Sequence, residues 1–282
     1  MPLARTADLL VSGAAVAAFN VITVEHAEAI AAGAEAAGRP AVLQISENAV
    51  KFHGGALAPI AAATAAVARA SSAPLALHLD HVESVDLLHA AGAHDFSSVM
   101  YEASALPYAE NVKATAEAVR WAHARGLWLE AELGRVGGKP GDAHTPGVRT
   151  DPSEAAAFVA DTGVDALAVA VGSTHAMTAR TATLDHPLIA ELRAAVPVPL
   201  VLHGSSGVPD AELRRAVAAG IRKVNVGTAL NTAFTGAVRA FLEAHPSTVD
   251  PRRYLAPARE AMAATVERFL DSLPRPHRAG TR

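Results

Sequence analysis

The 282-residue chain contains no cysteine, so it can build neither a disulfide framework nor a thiolate metal site, and any metal must be held by His, Asp or Glu. Aromatic side chains are scarce, with 2 Trp, 3 Tyr and 7 Phe, which leaves the core to aliphatic residues. A positive excess is missing as well: 24 Lys and Arg stand against 28 Asp and Glu, a formal net charge of −4. No nucleic-acid or membrane partner is therefore expected, and any phosphate must be recognised by local geometry rather than by a general field. No uninterrupted apolar run approaches the roughly 20 residues that span a bilayer. Asp8 breaks the weak signal-like start around Leu9-Leu10-Val11, and a cytoplasmic location is expected.

What the chain does have is aliphatic bulk, 51% hydrophobic residues, enough to bury the core of one large α/β domain. Eight short apolar runs read as strands ending near Asn20, Ser46, Asp80, Tyr101, Glu132, Gly172, His203 and Gly227. Ala-rich amphipathic segments between them predict helices, for example over 25–37, 57–70, 107–125, 152–161 and 209–219. Asp151-Pro152-Ser153-Glu154 combines an N-cap, Pro at the first helical position and an early acid. Eight β/α alternations with polar groups gathered after the strands predict an α/β fold, a (β/α)8 TIM barrel formed by residues 1–282 as a single domain. An open doubly wound sheet is the alternative. Extra C-terminal helices are expected from Thr228 to about Ala244 and from about Pro257 to Leu270, followed by a disordered tail over 275–282. The one long polar loop, 134–150, has the length and composition of a lid.

Chemistry concentrates where the strands end. His203-Gly204-Ser205-Ser206-Gly207 follows the apolar run Pro199-Leu200-Val201-Leu202. An imidazole beside small residues with accessible backbone N–H groups suits a metal ion next to a phosphate. The same grammar recurs in Leu75-Ala76-Leu77-His78-Leu79-Asp80-His81 and in the run from Ala168 to Gly172-Ser173-Thr174-His175. Three such ends can supply three histidines to one ion, and three neutral imidazoles leave open positions on it, as in a catalytic site. Asp80 and His81 can share that site only where the strand is already turning, because adjacent strand residues face opposite ways. His26, His89, His123, His186 and His245 read as structural, and His78 as a packing or supporting residue.

Six separated strings, Phe19-Asn20, His78-Leu79-Asp80-His81, Glu130-Ala131-Glu132-Leu133-Gly134, Gly172-Ser173-Thr174-His175, Leu202-His203-Gly204-Ser205-Ser206-Gly207 and Lys223-Val224-Asn225-Val226-Gly227-Thr228, together resemble the class II, zinc-dependent ketose-bisphosphate aldolases. That family includes the fructose-bisphosphate and tagatose-bisphosphate aldolases, and the likeness covers nearly the whole chain in order. It implies one catalytic zinc ion per chain on His81, His175 and His203, with a monovalent cation as a further candidate, and Asp80 as the acid/base. The implied partners are a phosphorylated ketose and dihydroxyacetone phosphate, and the implied assembly is a homodimer or homotetramer. The resemblance assigns substrate contacts to Gly204, Ser205, Ser206, Asn225, Val226, Gly227 and Thr228, with Ala176, Asn20 and Ser46 adding to them.

Three departures bear on the substrate. Ala176 stands where the family usually has Gly, a change that a backbone N–H contact survives but that threatens a metal-binding carbonyl conformation. Glu102 replaces the usual Asp of the fourth-strand motif. Gly137-Gly138-Lys139-Pro140 occupies the loop position that usually supplies a catalytic Glu, which leaves Glu132, Glu102, Asp142 and His144 as auxiliary candidates for the second proton transfer. Fructose 1,6-bisphosphate is the first substrate expected, and tagatose bisphosphate or another specialised phosphoketose the alternative. Three rivals differ in kind. A Schiff-base aldolase would need a lysine such as Lys223, which the period-two phase aims into the barrel but a layer below the rim, where a structural charge partner is expected instead. A metal-dependent hydrolase on the same barrel would want His-x-His where strand one has Phe19-Asn20-Val21, and a non-catalytic scaffold would not need Asp80 and the three histidines.

Overall fold

The computed structural model describes residues 2–11, 14–133 and 148–275. Its centre is a closed barrel of eight parallel strands in sequence order: β1 (Val16–Asn20), β2 (Ala41–Ser46), β3 (Leu75–Val82), β4 (Ser98–Tyr101), β5 (Trp128–Glu132), β6 (Ala166–Ala168), β7 (Leu200–Leu202) and β8 (Ile221–Val226). Around and between them run α1 (Thr6–Val11), α2 (Val24–Ala37), α3 (Glu47–Phe52), α4 (Leu57–Ala70), α5 (Val85–Ala91), α6 (Tyr108–His123), α7 (Pro152–Thr162), α8 (His186–Ala195), α9 (Asp210–Ala219), α10 (Thr228–Ala244) and α11 (Pro251–Ser272). This is a (β/α)8 TIM barrel with additional C-terminal helices. Among the described residues no helix is long and apolar enough to cross a membrane.

Period-two phase sorts every strand into two faces. Phe19, Leu43, Ile45, Leu77, Leu79, Val99, Leu129, Leu167, Leu202 and Val224 point outward and join one continuous core under the helices. The opposite phase fills the barrel. Its floor is Val16, Ala18, Val42 and Ala76, sealed by Leu10 of α1, with Met100, Ala166, Ala168 and Val201 beside it. Small side chains fit there because eight strands leave little room. Leu9 and Leu10 of α1 thus plug the N-terminal mouth, with α1 held by bonds from Thr6 N and Thr6 Oγ1 to Ser97 Oγ, both 3.0 Å. One layer up, the inward phase turns polar, which places chemistry only toward the C-terminal mouth.

Two expected boundaries moved. β6 stops at Ala168 rather than Gly172 because the following backbone pairs with loops: Ala170 N donates to Thr150 Oγ1 at 2.8 Å and Asp185 N to the Val171 carbonyl at 2.9 Å. The last helix begins at Pro251, not near Pro257; Asp250 Oδ1 accepts from Arg252 N at 3.0 Å and Pro257 sits inside the helix. α11 then packs against α2 at Gly33, where a Cβ would meet the Ala263 carbonyl at 2.6 Å. Residues 276–282 and most of the 134–150 loop lie outside the described residues.

Candidate active site

The C-terminal ends of the strands enclose a cavity of about 860 Å³. Asn20 of β1, Ser46 of β2, Asp80 and His81 of β3, Glu102 after β4, Glu132 of β5, His175 and Ala176 after β6, Gly204 and Ser206 after β7, and Asn225, Gly227 and Thr228 at the end of β8 all line it. Asp142 and His144 lie outside the described residues.

His81 reaches this side of the strand through a local break. It takes a left-handed φ of 49°, and the β3–β4 register shifts between Leu79 and Val82. Its ring lies 4.8 Å from that of His203 and 5.3 Å from that of His175, centroid to centroid, and ring nitrogens of the three fall within 4.8 Å of one another. His175 stands seven residues beyond β6, on a loop rather than at a strand end. That loop is fastened to the β7 loop by Ser173 Oγ, which donates to the His203 carbonyl at 2.6 Å. Gly204 permits the close approach, since a Cβ there would strike the Thr174 carbonyl.

Carboxylates stand behind two of the three rings. His81 Nδ1 meets Glu102 Oε2 at 3.0 Å, and Ser104 Oγ donates to the other oxygen of Glu102. His203 Nε2 meets Glu130 Oε1 at 3.1 Å, and Lys223 Nζ donates to Glu130 Oε2 at 2.8 Å, with all three residues fully buried. Lys223 is therefore the charge partner of Glu130, and the Schiff-base role is not available to an amine so engaged. Burial opposes the charge on Glu130, but Lys223 and then His203 hold its pKa down to about 2. Burial likewise opposes protonation of His203, yet Glu130 and Glu132 hold its pKa up to about 9. Glu132 is pushed up by burial and then by the neighbouring Glu102, against the pull of His203.

The donor set fits a divalent metal. His203 Nδ1 is buried, with Glu132 Oε2 3.5 Å away, and carboxylates orient the far nitrogens of His81 and His203, the support that ligating imidazoles usually have. With His81, Glu102 and Glu132 also form a second group of potential ligands around the same imidazole.

Asp80 is buried, and neither of its oxygens is hydrogen-bonded; His78 Nε2 lies 3.7 Å and His81 Nε2 3.9 Å from them. Burial raises its pKa, but His81, His78 and Lys223 outweigh that and hold it well below the usual carboxylate range. His78 itself is kept neutral by burial and by Lys223, and its Nδ1 lies 2.8 Å from Ser98 Oγ.

The side chains of two expected substrate contacts turn away from the cavity, and a third keeps its expected backbone. Val226 is fully buried on the outward phase of β8, opposite to Asn225, so its side chain packs under the helices. Ser205 turns its hydroxyl back to the Leu202 carbonyl at 3.0 Å and does not line the cavity. Ala176 retains the left-handed backbone of a glycine, φ 59°, so the Cβ has not abolished that conformation. Ser206 Oγ accepts from Ala229 N at 3.0 Å, capping the N-terminus of α10. The buried Asn225 carboxamide faces the cavity with neither polar atom hydrogen-bonded, and Asn20 Oδ1 accepts from Gln44 Nε2 at 2.6 Å. Ser46 doubles as the N-cap of α3, accepting from Ala49 N at 3.2 Å.

Sequence reading passed over Glu130, Gln44, Glu47 and Lys51, which the structure puts in or beside the cavity. Glu130 was within reach: it shares inward phase with Glu132, as Lys223 does with Asn225.

A closed parallel barrel whose C-terminal mouth gathers a cluster of histidines with carboxylates beside them is a (β/α)8 barrel with a candidate metal site where such barrels carry their active sites. Residues 7–275 match the family described as fructose-bisphosphate aldolase class-II, and the chain belongs to that family. It is an aldolase, a carbon–carbon lyase. A fructose-bisphosphate aldolase of Geobacillus stearothermophilus is 40% identical over 254 residues, 89% of this chain and 88% of the relative. Among solved structures, the YdjI aldolase of Escherichia coli K12 superposes with a TM-score of 0.80 at 30% identity, covering 97% of this chain and 96% of that one. A candidate fructose-1,6-biphosphate aldolase of Coccidioides immitis gives 0.83 at 29% identity over 95% and 96%.

Proposed function

We propose that the chain is a zinc-dependent aldolase that reversibly cleaves a phosphorylated ketose, fructose 1,6-bisphosphate first among them, to dihydroxyacetone phosphate and an aldehyde. Family likeness adds a homodimeric or homotetrameric assembly and a cytoplasmic location. The observation that carries the reading is the convergence of His81, His175 and His203 beside the buried, non-hydrogen-bonded carboxylate of Asp80. His81, His175 and His203 would hold the zinc ion, which when bound would supply Lewis-acid stabilisation of the charge developing at the ketose carbonyl.

Everything else falls to side chains and backbone. Asp80, ionised, accepts the proton of the hydroxyl on the far side of the breaking bond, and returns it during condensation. Ser206, Gly227 and Thr228 face the retained phosphate at the amino end of α10, where backbone N–H groups and the helix dipole favour an anion. Because Ser206 Oγ already accepts from Ala229 N, its own proton is directed to the phosphate. Asn225 presents an unsatisfied carboxamide to substrate hydroxyls. Glu132, its pKa raised, is the described carboxyl best suited to carry a proton at the cleaved carbon, with Asp142 and His144 as candidates in the loop.

The test is a retro-aldol assay over fructose and tagatose 1,6-bisphosphates and their 1-monophosphates, read by triose-phosphate release. Activity should vanish with a chelator and return with zinc. Full turnover by metal-free protein would refute the reading.

A further inference from the structure

We propose that Glu47 is a positioning residue for the Asp80–His81 pair, a clamp from the first residue of α3 that holds the turn after β3 in its working geometry. The inference rests on the proposed roles of Asp80 and His81.

The turn needs holding. His81 is not glycine, yet it sits at φ 49°, and a side chain in that region persists only where its surroundings over-determine the backbone. The neighbouring strand supplies one restraint: Glu102 N donates to the Val82 carbonyl at 2.8 Å, just past the register shift. On the other flank, β2 and β3 are in register only as far as Ser46 opposite Asp80. The next residue, Glu47, takes over with its side chain. Glu47 Oε2 accepts from Glu83 N at 2.7 Å and from Ser84 N at 3.1 Å, the two amides that leave the turn for α5. Ser84 then caps α5 by accepting from Leu87 N at 3.3 Å.

Glu47 is itself fixed. It opens α3 directly behind the Ser46 cap, is 7% exposed, and pairs through Oε1 with Lys51 Nζ at 2.9 Å one turn on. Bonds from two backbone amides to an ionised carboxylate are the strong kind. Burial raises the pKa of Glu47, but Lys51 and the two amides bring it below the ordinary value, so the acceptor stays charged. Glu47 therefore ties two strand ends together through its carboxylate at the edge of the cavity. Its two backbone acceptor bonds act through the peptide segment that carries His81.

Glu47→Ala, Glu47→Gln and Glu47→Asp should be compared for zinc affinity by competition with a chromophoric chelator, for kcat and KM, and for thermal unfolding of the chelated protein. Supporting groups of this kind typically change metal affinity or activity by 10–100-fold. Glu47→Ala should lose zinc affinity and kcat by about 10-fold or more while KM moves less. Glu47→Gln keeps a carbonyl oxygen that can accept both amides but loses the charge and the Lys51 pair, so it should fall between the parent and Glu47→Ala. Glu47→Asp is one methylene short and should resemble Glu47→Ala, which keeps the comparison decisive if the alanine variant does not fold. Parental zinc affinity and kcat in Glu47→Asp, or equal losses in Glu47→Gln and Glu47→Asp, would overturn the clamp. His81→Ala separates the two levels: if it too binds zinc normally, the metal reading has failed, and if it alone loses zinc, only the clamp has.

Discussion

Asp80 combines full burial with a charge that its neighbours sustain and no hydrogen bond to absorb it. Removing its carboxyl should therefore strip chemistry and spare metal binding: Asp80→Ala is expected to lower kcat roughly 10²–10⁴-fold, the usual contribution of a general acid–base group, with zinc content near parental. Metal analysis alongside the assay decides it, since a variant that lost its zinc and regained turnover on adding more would make Asp80 a ligand. Ala176 offers a test of a different kind. Its φ of 59° is one that L side chains other than Asn and Asp adopt reluctantly. Glycine relieves that strain but adds freedom to the unfolded chain, so Ala176→Gly should gain roughly 0.5–1 kcal/mol net in urea unfolding. A loss would mean that the Ala176 methyl contributes packing that outweighs its backbone strain.

Among the elements, α2 and α10 meet through a histidine. His26 is buried in the first turn of α2, 3.1 Å from Thr23 Oγ1 through Nδ1, and stacks on Phe234 of α10 with centroids 5.6 Å apart. Burial is the largest influence on its pKa and lowers it, despite the opposing pull of Asn231 and Glu25. The fold thus holds His26 neutral where the unfolded chain would protonate it. Its contribution to stability is complete above the unfolded pKa of about 6.5 and declines as pH falls below that value. Unfolding midpoints of chelated protein at pH 7.5 and 5.5 should differ more for the parent than for His26→Gln; equal differences would remove His26 from the account. Much at this scale was legible beforehand. β1 to β5 end within a residue or two of expectation, because alternating apolar runs closed by polar groups are local signals, and α4 matches at both ends. β6 and α11 were misjudged for a physical reason. Whether 169–172 pairs with strands or with loops depends on Thr150 and Asp185, which are distant in sequence, and Pro257 hid a start that Asp250-Pro251 had already signalled. His81 and His203 were legible as residues at or just past strand ends, whereas His175 arrives on a loop seven residues beyond β6, and the carboxylates behind the rings depend on closure of the barrel, which no short window contains.

Taken whole, the barrel carries at mid-height a buried cation and anion from strands 93 positions apart, Lys223 and Glu130, each with zero exposure. Breaking one partner of such a pair strands the other charge and costs about 3–5 kcal/mol, whereas exchanging both for well-packed apolar residues is often close to neutral. Lys223→Met and Glu130→Leu should each destabilise the chelated protein strongly, and the double variant should lose less than the sum of the two, as a urea double-mutant cycle would report. Additive losses would show that the two charges are solvated independently. Domains of this kind are stable by only about 5–15 kcal/mol, so either single change consumes much of that margin. The consequence is historical. An apolar barrel centre can then be reached one substitution at a time only through a variant that has surrendered about 3–5 kcal/mol of that margin, so positions 130 and 223 are expected to change together rather than singly.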